Sequence, residues 1–324
     1  MSSTLAFLGR YATAAMAAGV LVGLAVPGMA GGLSPLLTPS VWLLLFLSAM
    51  RLDWRALAGH ARRPLRIILV TVWLLALSPL LMWALVNAAG VPPGVATGMT
   101  LAAASAPLMS TPAIGLMLGL DAGLLLVLLT IATLALPLTL PVLVLGLLDL
   151  ELSLGGWDLS LRLGVFIVTA LVSAAIARRL IGAERLERHG RELDGTSVIV
   201  LLVFAVAMME GVWDRMLADP GHVALITALS FAVYGGLMVA AAAGFRLLAP
   251  AADLRVALSV GLVSGCRNLG ILLAILPSDA DPDIRLFFAL GQFPIYMMPA
   301  VLKFIFARLL PSVDADAKKA RHEE

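Results

Sequence analysis

Long apolar runs, separated by short charged clusters and by Gly or Pro, set the pattern of this chain. Runs such as GLLLVLLTIATLALPLTLPVLVLGLL show no polar residue at alternate positions. A membrane barrel strand needs about ten alternating residues, whereas a membrane helix needs about 20 mostly apolar ones. The pattern therefore predicts an all-α membrane protein with about ten transmembrane helices, near 8–29, 35–51, 65–89, 94–119, 122–147, 160–181, 196–214, 222–248, 254–277 and 283–309. No soluble domain fits between them.

Composition agrees: of 324 residues 61% are hydrophobic and 13% charged, with a mean hydropathy of +1.03. A net charge of +2 gives no reason to expect a nucleic-acid partner. One cysteine, Cys266, excludes an internal disulfide, and His60, His189, His222 and His322 are scattered in hydrophilic flanks. Neither a metal site nor an intramembrane enzyme has material to build on, since no paired carboxylates or Ser/His arrangement falls within the spans. The first 32 residues end in small residues like a signal-peptide cleavage site, yet Tyr11–Ala30 is long enough to span, and the uncleaved reading is preferred.

Arg51, Arg55, Arg62, Arg63 and Arg66 follow the second span, and Arg178, Arg179, Arg185, Arg188 and Arg191 follow the sixth. The positive-inside rule makes both loops cytoplasmic. Loops on the other side carry Asp149, Glu151 and Asp158, and Asp279, Asp281 and Asp283. Ten spans then leave both termini on the cytoplasmic side of a bacterial-type inner membrane. The second basic loop reads either as a solvated connector or as a short amphipathic helix on the membrane surface.

The fourth span is interrupted around ASAPLMSTPAIG and the ninth around SGCRNLG; each is followed by a span with paired prolines, Pro137 and Pro141 or Pro294 and Pro299. Five spans per copy is an odd number, so the second copy starts on the opposite side. The expectation is two inverted five-helix repeats, residues 1–150 and 151–324. Interrupted helices at matching places in inverted halves point to a transporter's central site.

Several segments carry a more specific likeness. LLLFLSAMRLDWRAL, VPPGVATGMTLAAASAPLMST, LGLDAGLLLVLLTIATLALP and VSGCRN, in that order and spacing, resemble the bile acid:sodium symporter superfamily over almost the whole chain. The resemblance implies crossed, broken helices 4 and 9, a panel of helices 1, 2, 6 and 7, and a core of helices 3–5 and 8–10. It also implies two sodium sites, and here this chain departs. The ninth-helix motif, commonly Glu-x-Gly-x-Gln-Asn, becomes Val263 to Asn268, with Val263 for the glutamate and Arg267 for the glutamine. A Ser-Asn pair becomes Pro112 and Ala113, a Ser-x-x-x-Thr pair becomes Leu126 and Thr130, and a glutamine five residues before Pro79 becomes Leu74. Both sodium sites look dismantled.

The expected function is a secondary transporter of a small organic or amphipathic anion by alternating access, not coupled to sodium in the family's usual way. A sodium symporter using backbone carbonyls and a transporter-like sensor or binding module are the alternatives. Arg267 is either a built-in cation holding broken-helix carbonyls, an anion-binding group in the cavity, or both; the bland reading is a structural arginine. Asn268 reads equally as ligand or as stitch between helices. Ser105, Ser110, Pro107 and Pro112 border the fourth-span break as substrate candidates, although the serines also read as small packing residues. Thr130, Asn268 and Ser264 are the remaining ion-ligand candidates, Thr130 being more simply a helix threonine. Glu210 is the proton-coupling candidate or an interfacial residue, Asp121 reads as a helix N-cap, and Cys266 reads as packing. No cofactor is expected; sodium is the one ion the resemblance brings in.

Overall fold

The computed structural model describes residues 12–50, 64–147, 156–277 and 280–310. The first basic loop up to Arg63, the acidic residues Asp149, Glu151 and Asp279, and the charged tail fall outside them. The described residues form α-helices, short 3-10 and π turns and a single isolated bridge, with no strand among them. Seven helical segments are long and apolar enough to cross a membrane.

In chain order the helices are α1 (Ala12–Ala25), α2 (Pro27–Leu33), α3 (Leu37–Met50), α4 (Pro64–Val72), α5 (Ser78–Ala88), α6 (Pro93–Ala104), α7 (Thr111–Met117), α8 (Ala122–Leu147) and α9 (Gly156–Ile181). There follow α10 (Ala183–Arg188), α11 (Gly190–Ala207), α12 (Val212–Ala218), α13 (Pro220–Leu248), α14 (Leu254–Gly265), α15 (Leu269–Ile275), α16 (Pro282–Leu290) and α17 (Gln292–Leu309). The fourth and ninth expected spans are therefore not continuous. Each is a 12-residue helix, a gap and a 7-residue helix: α6 and α7, then α14 and α15.

Several boundaries differ from the sequence reading, the membrane-length segment holding the second span beginning at Pro27 and α9 at Gly156. The first span does not run unbroken to residue 29, because Val26, kept out of the helical region at φ −127° and ψ 75° before a proline, separates α1 from α2. The seventh starts earlier, at Gly190, and turns at Gly211, whose φ of +73° suits a glycine. Asp121 caps α8, its carboxylate accepting the Leu124 N–H at 2.9 Å. The second basic loop holds α10, with Leu186 buried beside Met50 and Ala174.

The surface explains the hydropathy. On α9, Leu161, Val165, Val168, Val172 and Ile176 are each more than half exposed, and their spacing puts them on one face. Such a stripe would be an aggregation site in water but matches acyl chains. Inside, small residues bring backbones close. Gly261 and Gly265 of α14 form a GxxxG pair against α13, where an added Cβ would lie 2.8 Å from Met238 O and 2.7 Å from Tyr234 O.

Replacing Gly265 by alanine should cost about 1–3 kcal/mol through overpacking against backbone. Gly236→Ala, with open space at its Cβ, should be neutral or slightly stabilising. Thermal unfolding in detergent checks both; equal melting temperatures for the two variants would contradict the close approach.

Candidate functional site

The two broken helices meet at their gaps. Leu108 N donates to Cys266 O at 2.9 Å and Asn268 N donates to Ala106 O at 2.8 Å, so Pro107 and Arg267 face each other in an antiparallel bridge. Helix breaks strand backbone groups that hydrocarbon cannot solvate, and each gap here supplies the partners the other has lost.

A third irregularity lies beside them. Between α4 and α5 the chain takes a π turn, Trp73–Leu77, in which Ser78 N donates to Trp73 O. In α register that N–H would serve Leu74 O; in π register the next donor would be residue 79, a proline without an N–H. The Leu74 carbonyl is thus released from its helix. Ser78 Oγ lies 3.1 Å from both Leu74 O and Ala103 O, and Trp73 Nε1 donates to Ser264 Oγ at 3.0 Å, tying the π turn to α14.

Arg267 gathers the freed oxygens. Its Nε donates to Ser264 O at 2.8 Å, Nη1 donates to Ser105 O at 2.7 Å and to Leu74 O at 3.2 Å, and Nη2 donates to Ser78 Oγ at 2.9 Å. The side chain has no accessible surface. Among the described residues no carboxylate lies at ion-pair distance from it. The charge is compensated by three carbonyl dipoles and a hydroxyl, which suits a planar fork of five donors better than an ammonium.

Of the sequence candidates, Arg267, Asn268, Ser105, Pro107 and Ser264 come together here. Ser264 contributes its carbonyl, while its hydroxyl donates to Val260 O at 2.7 Å. Ser105 likewise contributes its carbonyl, its hydroxyl donating to Ala102 O at 2.9 Å. Asn268 is buried, and its backbone N–H makes the bridge. Ser110 and Pro112 stand half-buried at the start of α7. Thr130 donates to Leu126 O at 2.8 Å within α8. Glu210 is exposed and lines a small cavity of about 160 Å³ with Leu37, Arg215, Leu273 and Arg285. Beside it, Asp283 joins α16 to α13 and α12 through His222 Nε2 at 3.1 Å and Arg215 Nη1 at 4.0 Å.

The sequence reading missed Ser78 and the Leu74 carbonyl. A serine directly before a proline in an apolar run was the available signal. It also missed a larger groove, of about 620 Å³, between α9 and the end of α15, with Arg162, Phe166 and Thr169 on one wall and Ile275 and Pro277 on the other. Among the described residues no three His, Cys, Asp or Glu side chains gather as for a metal.

The described residues define a multi-pass, all-α membrane protein with a buried arginine where the gaps of two interrupted helices meet. Comparison with protein-family models gives no match, and a search of curated proteins gives none either.

Ser78→Ala removes one acceptor from the guanidinium and should cost about 1–2 kcal/mol. Arg267→Ala strips three carbonyls of a donor and should cost about 3 kcal/mol or more. Arg267→Lys should recover only part of the loss, because a point ammonium does not reach four oxygens so spread. Melting temperatures that rank the variants otherwise would contradict the assignment.

Proposed function

We propose that this protein is a secondary transporter of a small organic anion, working by alternating access, in which Arg267 stands permanently where related carriers bind a removable cation. The observation that carries the reading is the four-oxygen cage around the Arg267 guanidinium, built from two broken helices and a π turn. Broken helices frame central sites in secondary carriers because their freed carbonyls coordinate ions. Here those carbonyls already hold a charge of the chain's own.

Other features support the reading. The matched 12- and 7-residue pieces of the two broken spans fit inverted repeats meeting near residue 150. Helices α1, α3, α9 and α11 pack on one another, and α4–α8 pack with α13–α16, as a panel and a core would. Both cavities lie between these groups and are lined by arginines, Arg162 in one and Arg215 with Arg285 in the other. That charge favours an anion, with Glu210 the one carboxylate among the lining residues. We place the protein in a bacterial-type inner membrane with both termini in the cytoplasm, as its arginine-rich loops suggest.

The test compares melting temperatures of wild type and Arg267→Ala in sodium or potassium chloride, with and without short alkyl sulfonates and aromatic carboxylates, followed by vesicle uptake of those that stabilise. Wild type should respond to an anion and be indifferent to sodium. The alanine variant, its oxygens vacated, should gain stability in sodium that potassium does not match. Sodium stabilisation of wild type would mean a separate cation site and a purely structural Arg267. Anion binding without flux would favour a binding module.

A further inference from the structure

The end of α9 carries its lipid-facing stripe into charge. After Leu161, Val165, Val168, Val172 and Ile176, the same spacing of three and four residues reaches Arg179 and Leu180, both exposed. Trp157, at the start of the helix, and Leu180, at its end, are each 79% exposed. The helix rises about 33 Å from Trp157 to Arg179, close to the hydrocarbon thickness of about 30 Å. Trp157 therefore marks one interface, where aromatic side chains collect, and Arg179 reaches the headgroup layer of the other. The two arginines of this last turn divide. Arg178 turns inward, its Nη1 donating to Met50 O at 3.0 Å, and fastens α9 to α3. Arg179 faces outward, and among the described residues no carboxylate pairs with it. The chain then turns at Gly182, whose φ is +85°, into α10. There Leu186 is buried with Met50 and Ala174, so α10 rests its apolar residue on protein. Arg185 and Arg188, neighbours on the side away from Leu186, are exposed, and the exposed Glu184 makes no ion pair with either.

We propose that Arg179, Arg185 and Arg188 bind the headgroup of an anionic phospholipid of the bilayer, whose acyl chain lies along Val172, Ile176 and Leu180. A guanidinium fork matches two phosphate oxygens, and basic side chains at headgroup depth attract anionic lipids, which are enriched in a cytoplasmic leaflet. A free phosphate offers the same oxygens but has no chain to cover the stripe, so the occupant is a lipid. Arg178 and Leu186 join this corner to α3, and a lipid held there fixes α3, α9 and α10 together in the bilayer. The site stands without the transport reading; on that reading it anchors the panel against which the core moves.

Native mass spectrometry of the full chain in detergent, titrated with dioleoylphosphatidylglycerol or dioleoylphosphatidylcholine, tests the site. Wild type should retain phosphatidylglycerol at least about tenfold more tightly than phosphatidylcholine, the gain expected of charge-assisted hydrogen bonds. Arg179→Gln combined with Arg185→Gln should erase that preference. Arg308→Gln, which removes an exposed arginine from the end of α17, should keep it. No preference in wild type, a preference surviving in the double variant, or an equal loss in Arg308→Gln through diffuse charge overturns the proposal. Glycerol 3-phosphate added in tenfold excess should not displace the lipid; displacement would mark a phosphate site without a lipid and overturn it as well. The substituted side chains are exposed, so each variant should melt as wild type does in detergent alone, and should the double variant unfold, Arg185→Gln with Arg188→Gln is read in its place. Retention of lipid is measured without flux, so failure of this site leaves the transport reading standing, and absence of flux leaves the site.

Discussion

Everything at the centre of this protein depends on one buried guanidinium. An arginine at a helix centre costs about 2.5–3.5 kcal/mol on insertion scales, and a helix break at the same depth strands carbonyls that lipid cannot solvate. Each is unfavourable alone, and together they cancel. Arg267 supplies the donors that Ser264, Ser105 and Leu74 lack, and those carbonyls supply the negative potential that the cation lacks. The antiparallel bridge between Leu108, Cys266, Asn268 and Ala106 closes the rest of the two gaps. What reads as three separate defects is a single satisfied network.

The network also fixes relative positions. Its members come from the α4–α5 turn, the α6–α7 gap and the end of α14, segments nearly 200 residues apart in sequence. Long-range polar ties of this kind specify one arrangement of helices more sharply than apolar packing does, since the ridges of Leu and Val admit small slips. Close glycine contacts do the complementary work. Gly265 lets α14 press against α13, and that approach sets the position from which Arg267, two residues on, reaches across to Leu74.

The seven segments long and apolar enough to cross a membrane were legible because their signal is additive over about 20 residues, and the two breaks were legible because proline and a lone arginine interrupt it. The bounds of α8, residues 122–147, fall where the apolar run predicts them. Less legible was anything carried by backbone. The likeness to a sodium carrier directs attention to side chains, and on that register Leu74 reads as a lost ligand. Its carbonyl is nonetheless a partner of the central charge, freed by a proline five residues later. A substitution that deletes a side-chain donor leaves the main-chain acceptor untouched, and no residue letter records it. The Arg162 groove was hidden for another reason: its two walls are α9 and the end of α15, and only packing brings them together.

A tethered cation differs from a bound one in having no concentration. A removable ion stabilises the state it binds by an amount that grows with its own activity, and this is how an ion gradient enters a transport cycle. A guanidinium joined to the backbone contributes the same stabilisation at every salt concentration. On the transport reading, the crossing therefore keeps its electrostatic role, balancing broken-helix carbonyls, while losing its thermodynamic one, sensing sodium. Concentrative uptake would then have to draw on protons, a counter-solute or the membrane potential, which acts on a charge at about 2.3 kcal/mol per 100 mV. Glu210 sits exposed on a separate cavity instead of among the oxygens around Arg267, so a proton taken up there would have to act on the crossing from a distance. Exchange or facilitated passage asks for no such relay, and is the simpler cycle for a carrier built in this way.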